Sequence, residues 1–205
     1  MVKGVRALVE PHYDVVGTAS DGQQLVDSVL ELKPDLVVMD ISMPKLNGLE
    51  AAARIRKLVP SARLIFLTMQ SNPIYLRRAL EVGANGYVLK TGSMEELVDA
   101  ARCVMAGETY ISPGFGDEVL AGLLNRSGKP SREEHQLTGR QRQILQLVAE
   151  GRPSKEIAHL LNVSVKTVEY HRAQTMARLG TRSVAETVRV AVEQGIIPPA
   201  APGAS

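Results

Sequence analysis

Apolar residues change their spacing along this chain, and the changes mark out its elements. In residues 1–106, short continuous apolar runs alternate with longer stretches whose apolar residues recur every three or four positions. Leu36-Val37-Val38-Met39, Leu64-Ile65-Phe66-Leu67 and Tyr87-Val88-Leu89 are runs of strand length without a polar face, as expected of strands covered on both sides. Val15–Val16 opens a shorter apolar run ahead of them. Helical spacing predicts helices over 21–32, 48–58, 72–82 and 93–105, the third stopped by Gly83. Strands alternating with helices of this length imply a parallel α/β sheet.

From Gly107 to Gln136 the periodicity fails. Gly, Pro, Ser and charged residues surround one helical stretch, Asp117 to Leu124, so 107–136 reads as a linker with an embedded helix. Residues 137–197 are helical throughout. Thr138 with Gln141 has capping-box spacing ahead of Ile144, Leu145, Leu147 and Val148. Pro153-Ser154 opens a short helix, with either Ser154 as its cap or the proline near its first position. Ser164 caps the next helix, which stops at Gly180, with Val163 and Val168 as a hydrophobic staple. Ser183 with Glu186 forms a second capping box before the last helix. Residues 198–205, PPAAPGAS, read as a disordered tail.

Composition narrows the function classes. Aromatics are 3% of the 205 residues, so the core rests on aliphatic side chains. The one cysteine, Cys103, excludes an internal disulfide and a multi-cysteine metal site. No apolar run nears the ~20 residues of a membrane span, and the start lacks a secretion signal, so a cytoplasmic protein is expected. The net charge of +2 is unevenly spread: residues 1–106 carry 12 basic and 12 acidic side chains, residues 138–182 carry 8 and 3. The positive excess at the C-terminal end suits a polyanion such as DNA.

Three polar residues end three successive buried runs: Asp40, Thr68 and Lys90. Ligands of open α/β sheets bind at the carboxyl ends of the strands. A carboxylate, a hydroxyl and an ammonium would therefore converge there, a set fit to receive a phosphoryl group: nucleophile, hydrogen-bond donor and countercharge. A hydrolase of the haloacid dehalogenase type would carry a second aspartate two residues after the first, but Ser42 stands there.

DLVVMDISMPKLNGLE resembles the phosphoacceptor segment of response-regulator receiver domains, with Asp40, Met43, Pro44 and Gly48 at the matching places. The resemblance implies that Asp40 is the phosphoacceptor, Thr68 and Tyr87 the switch pair and Lys90 the phosphoryl-binding lysine. It further implies a sensor histidine kinase as donor, Mg²⁺ as cofactor and an inward turn of Tyr87 after phosphorylation. Met1–Glu10 resembles the family's first helix, so the family's first strand, with its acidic pair, has no counterpart in this sequence. A start upstream of Met1 is the favoured explanation, ahead of a remnant receiver that no longer takes phosphate and of a gap filled by another segment or chain. With Asp40 as sole carboxylate, Mg²⁺ would be held weakly.

LTGRQRQILQLVAEGRPSKEIAHLLNVSVKTVEYHRAQTMARLG resembles the LuxR-type helix-turn-helix, through Lys155-Glu156-Ile157-Ala158, Lys166-Thr167-Val168 and His171-Arg172 among others. The whole is similar to the NarL/FixJ class: a flavodoxin-like α/β receiver (1–106) without its first strand, then an all-α DNA-binding domain (137–197). At 100° per residue, Val168, His171, Thr175 and Leu179 share the packed face of the third helix. Lys166, Glu169, Tyr170, Ala173 and Ala177 share the opposite face and suit a major groove, with Glu169 accepting from a cytosine amine. Thr167 and Arg172, with Thr138 and Lys155, suit phosphate contacts. A homodimer on double-stranded DNA is implied, and a transcription factor rather than an enzyme. The alternative is a DNA-binding or dimerisation protein independent of phosphorylation.

Overall fold

A computed structural model describes residues 2–93, 95–116 and 137–199. Its first part is a parallel sheet of β1 (Leu36–Met39), β2 (Arg63–Thr68), β3 (Gly86–Leu89) and β4 (Tyr110–Ile111), in that spatial order. Helices α2 (Gly22–Leu32), α3 (Gly48–Leu58) and α4 (Pro73–Glu81) cover one face, and α1 (Val2–Val9) and α5 (Glu95–Met105) the other. The pleat divides β2 between them: Leu64 and Phe66 pack with the first group, Ile65 and Leu67 with the second. Both sets are fully or nearly fully buried, which is why the run carries no polar face.

The three helices of the first face begin alike. Asp21, Asn47 and Asn72 accept from the backbone N–H of Gln24, Glu50 and Ile74 respectively. Each cap fixes the point where a loop at the carboxyl edge of the sheet turns into helix and stabilises it by roughly 1 kcal/mol.

Two sequence expectations differ from the structure here. Val15–Val16 is not a strand. Residues 14–19 have no ladder partner, Val16 is 57% exposed, and the edge of β1 away from β2 is unpaired among the described residues. An apolar run becomes a strand only where a neighbour accepts its backbone bonds. Conversely, Tyr110–Ile111, expected in the linker, pairs with Gly86–Tyr87 and is followed by a 3-10 turn at Pro113–Phe115. Phe115 is buried against the Tyr87 ring, edge to face at 5.3 Å. The helix expected at Asp117–Leu124 lies outside the described residues.

The second part holds α6 (Gly139–Ala149), α7 (Ser154–Leu160), α8 (Val165–Leu179) and α9 (Val184–Glu193). The Thr138–Gln141 capping box forms in full. The Ser183–Glu186 box forms by half: Ser183 accepts from Glu186 N, but the Glu186 carboxylate accepts from Arg182 N, one residue before the cap. Ser164 caps α8, and Gly180 closes it in the left-handed conformation, φ +64°. Pro153 stands at the N-cap of α7 without a side-chain bond, so Ser154 is not a cap and its hydroxyl is free for another use. Pro198, assigned to the tail from sequence, is buried; residues 200–205 lie outside the described set.

The two parts touch. Arg142 of α6 pairs with the carboxylate of Glu50 on α3, their side chains 27% and 12% exposed. Gln143 accepts from Arg54 at 3.1 Å, and Glu150 from the Lys45 backbone at 3.2 Å. Tyr75 of α4 donates to the carbonyls of Val192 and Ile197, and Arg78 to that of Gly195. Asn47 Nδ2 in the first part and Gln146 Oε1 in the second are buried without a hydrogen-bond partner among the described residues.

Candidate functional site

At the carboxyl edge of the sheet, Asp40 follows β1, Thr68 ends β2 and Lys90 follows β3. Neighbouring parallel strands in register bring these ends together. Lys90 Nζ donates to Asp40 Oδ2, with side chains 14% and 15% exposed. Asp40 Oδ1 accepts from the Ser42 backbone at 3.2 Å. Thr68 is fully buried, and its Oγ1 accepts from Gln70 N at 3.2 Å, leaving its own proton to donate. The backbone bond from Lys90 N to Thr68 O, 2.9 Å, ties the second and third strand ends together.

The loop after Asp40 depends on a glycine. Gly48 N donates to Ile41 O at 2.9 Å, and a Cβ on Gly48 would sit 2.1 Å from the Asp40 carbonyl oxygen. Only a residue without a side chain lets α3 start this close to the aspartate.

Tyr87 already faces inward. Its ring is fully buried between Phe66 and Phe115, and its hydroxyl donates to Gln70 O at 2.7 Å. The inward position is thus already occupied, because Phe115 and the Gln70 carbonyl give the phenol an apolar seat and a partner. Burial first, and the Asp40 charge second, push its pKa well above the usual phenol value, so it remains a donor. The sequence reading used Ser42 only to argue against a hydrolase and placed neither it nor Gln70 or Phe115 at the site. Ser42 and Gln70 stand two residues beyond Asp40 and Thr68, and Gln70 Nε2 reaches Ser42 Oγ at 3.4 Å, so the strand-end rule extended by one turn would have found both. Phe115 carried no such signal.

Among the described residues no cluster of three His, Cys, Asp or Glu side chains could hold a metal ion. Asp40 is a single carboxylate with both oxygens engaged. Mg²⁺ is usually held by one or two carboxylates plus phosphate and water, so the residues present do not make a metal site by themselves.

On the helical part, Val168, Thr175 and Leu179 of α8 are buried and His171 half-buried. Lys166, Glu169, Tyr170, Ala173 and Ala177 are exposed, Tyr170 by 60%. Docking through α6 and residues 195–197 leaves this face uncovered. Lys155 is exposed on α7. Thr167 shares a hydroxyl–hydroxyl bond with Ser164 at 2.8 Å. Thr138 uses its hydroxyl in the α6 cap, next to Gly139, which faces Glu50 across the contact between the two parts. Arg172 does not reach freely into solvent: its Nη1 donates to Ser154 Oγ at 2.7 Å and Glu169 Oε1 at 3.0 Å.

Residues 1–102 match the response regulator receiver domain, and residues 135–191 the bacterial regulatory proteins of the luxR family. The transcriptional regulatory protein MctR of Rhizobium johnstonii is 35% identical over 199 residues, covering 96% of this chain and 90% of that protein. The oxygen regulatory protein NreC of Staphylococcus carnosus is 36% identical over 189 residues, 90% of this chain and 87% of its own length. The chain belongs to the two-component response regulators. It joins a receiver to a LuxR-type DNA-binding domain. The structure of the RcsB response regulator of Salmonella typhimurium, described for its conformational dynamism in DNA interaction, has 27% identity and a TM-score of 0.60, covering 92% of this regulator and 89% of RcsB. No helix among the described residues is long and apolar enough to cross a membrane.

Proposed function

We propose that this regulator is switched by phosphorylation of Asp40 and reads double-stranded DNA with α8. The convergence of Asp40, Thr68 and Lys90 at the carboxyl edge of the sheet carries the reading. A phosphohistidine on a sensor histidine kinase is the donor. An Asp40 oxygen attacks phosphorus, the P–N bond breaks, the imidazole leaves with its electron pair, and an acyl phosphate remains. Lys90, already on the carboxylate, then balances the added charge, and Thr68 donates its free proton to a phosphoryl oxygen. Receiver domains typically use Mg²⁺. Asp40 alone, with both oxygens engaged, does not supply a site for it.

Gln70 is the element that senses the change. It bonds Thr68 through its N–H and Tyr87 through its carbonyl, and it lies just ahead of α4, whose Tyr75 and Arg78 hold the DNA-binding domain. A shift of Thr68 toward phosphate therefore pulls on the segment that docks the second domain. On DNA, Lys166, Glu169, Tyr170 and Ala173 face the groove, Thr167, Lys155 and Thr138 contact or border the phosphates, and two copies bind together. The protein acts as a transcription regulator, in the cytoplasm.

Intact-mass measurement after incubation with acetyl phosphate, with and without Mg²⁺ and beside Asp40→Ala, tests the switch. A single phosphoryl adduct absent from the variant is expected. An adduct retained by Asp40→Ala, or none on the parent protein, sinks the assignment.

A further inference from the structure

A closed ring of hydrogen bonds joins the start of α7 to α8. Arg172 Nη1 donates to Ser154 Oγ at 2.7 Å and to Glu169 Oε1 at 3.0 Å, and Ser154 donates its own proton to the same Oε1. The protonation is self-consistent: the hydroxyl accepts from the guanidinium and donates to the carboxylate. All the bonds fall on one carboxylate oxygen. Oε2 has no partner among the described residues, and the Glu169 side chain is 53% exposed, on the face shared by Lys166, Tyr170 and Ala173.

We infer that Ser154 and Arg172 are positioning residues that fix the Glu169 carboxylate so that Oε2 reads one base amine in the major groove. The inference rests on the proposed reading of DNA by α8, and it changes the role expected of Arg172 from phosphate contact to buttress. A free glutamate on a helix samples many rotamers and loses their entropy on reaching a base. Here one oxygen is anchored from two directions, across two helices, before DNA arrives. A carboxylate accepts and cannot donate; adenine N6 has the N7 acceptor beside it, which repels the second oxygen, so the base edge it fits best is the N4 amine of cytosine. An unanchored acid facing a polyanion would only repel it; an anchored one trades that repulsion for selection.

The position of Ser154 supports the assignment. It is the first residue of α7, where serine commonly caps, yet Pro153 takes the cap position and the hydroxyl is turned to the neighbouring helix. The ring thereby joins the start of α7 to the first two turns of α8.

The test is selection of binding sites from a randomised duplex library by the full chain, with and without acetyl phosphate, followed by titration of the selected duplex and its single-base variants over a salt series. The parent protein is expected to prefer cytosine at one position roughly tenfold over other bases. Arg172→Ala, Ser154→Ala and Glu169→Gln should each lose most of that preference at the same position, and Ser154→Thr should keep it. The salt slope of Arg172→Ala should equal that of the parent. Loss of affinity for every duplex alike, with a slope smaller by about one, marks Arg172 as a phosphate contact and overturns the inference while leaving DNA binding intact. Failure of the parent protein to select any sequence in either state overturns the DNA-reading role and this inference together.

Discussion

Gly48→Ala sets two opposed effects against each other at the loop that follows Asp40. In a helix, alanine is favoured over glycine by about 0.5–1 kcal/mol. At Gly48 the added Cβ would lie 2.1 Å from the Asp40 carbonyl oxygen, 2.9 Å from its carbon and 3.1 Å from the Ile41 Cα. All three are backbone atoms, so no side chain can swing aside. Overpacking of this kind typically costs 1–3 kcal/mol, and the rigid neighbours place this site near the upper end. Subtracting the helix preference leaves a net loss of about 2 kcal/mol. For a domain of this size that lowers the melting temperature of the receiver by roughly 8–16 °C. Gly4→Ala in α1, where a Cβ would meet nothing within 4 Å, is the internal control and should raise stability slightly. Differential scanning calorimetry of both variants decides the matter, with phosphorylation by acetyl phosphate as second readout. The displaced carbonyl belongs to Asp40 itself, so the adduct should form more slowly in Gly48→Ala and at the parent rate in Gly4→Ala. A Gly48→Ala protein as stable as the parent would refute the close-approach argument.

Arg142→Met removes the cation facing the largely buried Glu50 carboxylate; a bond to a charged group contributes about 1.5–3 kcal/mol, so the docked form should weaken tenfold or more. Hydrogen exchange on α3 and α4 should rise, and unchanged exchange would mean that the domains are held by other contacts. Asp21 is largely buried, which raises its pKa, but its bonds from the Gln24 backbone and Lys45 outweigh burial and hold it below the usual 3.8. Its contribution is therefore present above that value and is lost as the pH falls through the lowered one. Asp21→Asn should flatten the acid limb of the melting curve below about pH 4, and an acid limb identical to the parent's would count against the ion pair.

Much of the candidate site could be read from the chain because it depends on local pattern plus one topological rule. Runs such as Leu64–Leu67 have no polar face because both sides of the sheet are covered, and the residue that ends each run must then stand at the carboxyl edge. Asp40, Thr68 and Lys90 follow from that. The caps at Thr138 and Ser164 were equally visible, since a cap needs only residues three or four apart. What the sequence could not decide involves partners distant along it. Tyr110–Ile111 is too short to show a period and became a strand because β3 offered an edge; Val15–Val16 had the apolar character but no such partner. Tyr87 lies inward because Phe115, 28 residues later, completes its seat. The Glu50–Arg142 pair spans 92 residues, and the Ser154 hydroxyl turned from its own helix to Glu169. Periodicity fixes which face of an element is apolar, but it is the packing of whole elements that settles which polar side chains meet, and in this regulator those meetings hold the second domain and anchor Glu169 on the exposed face of α8.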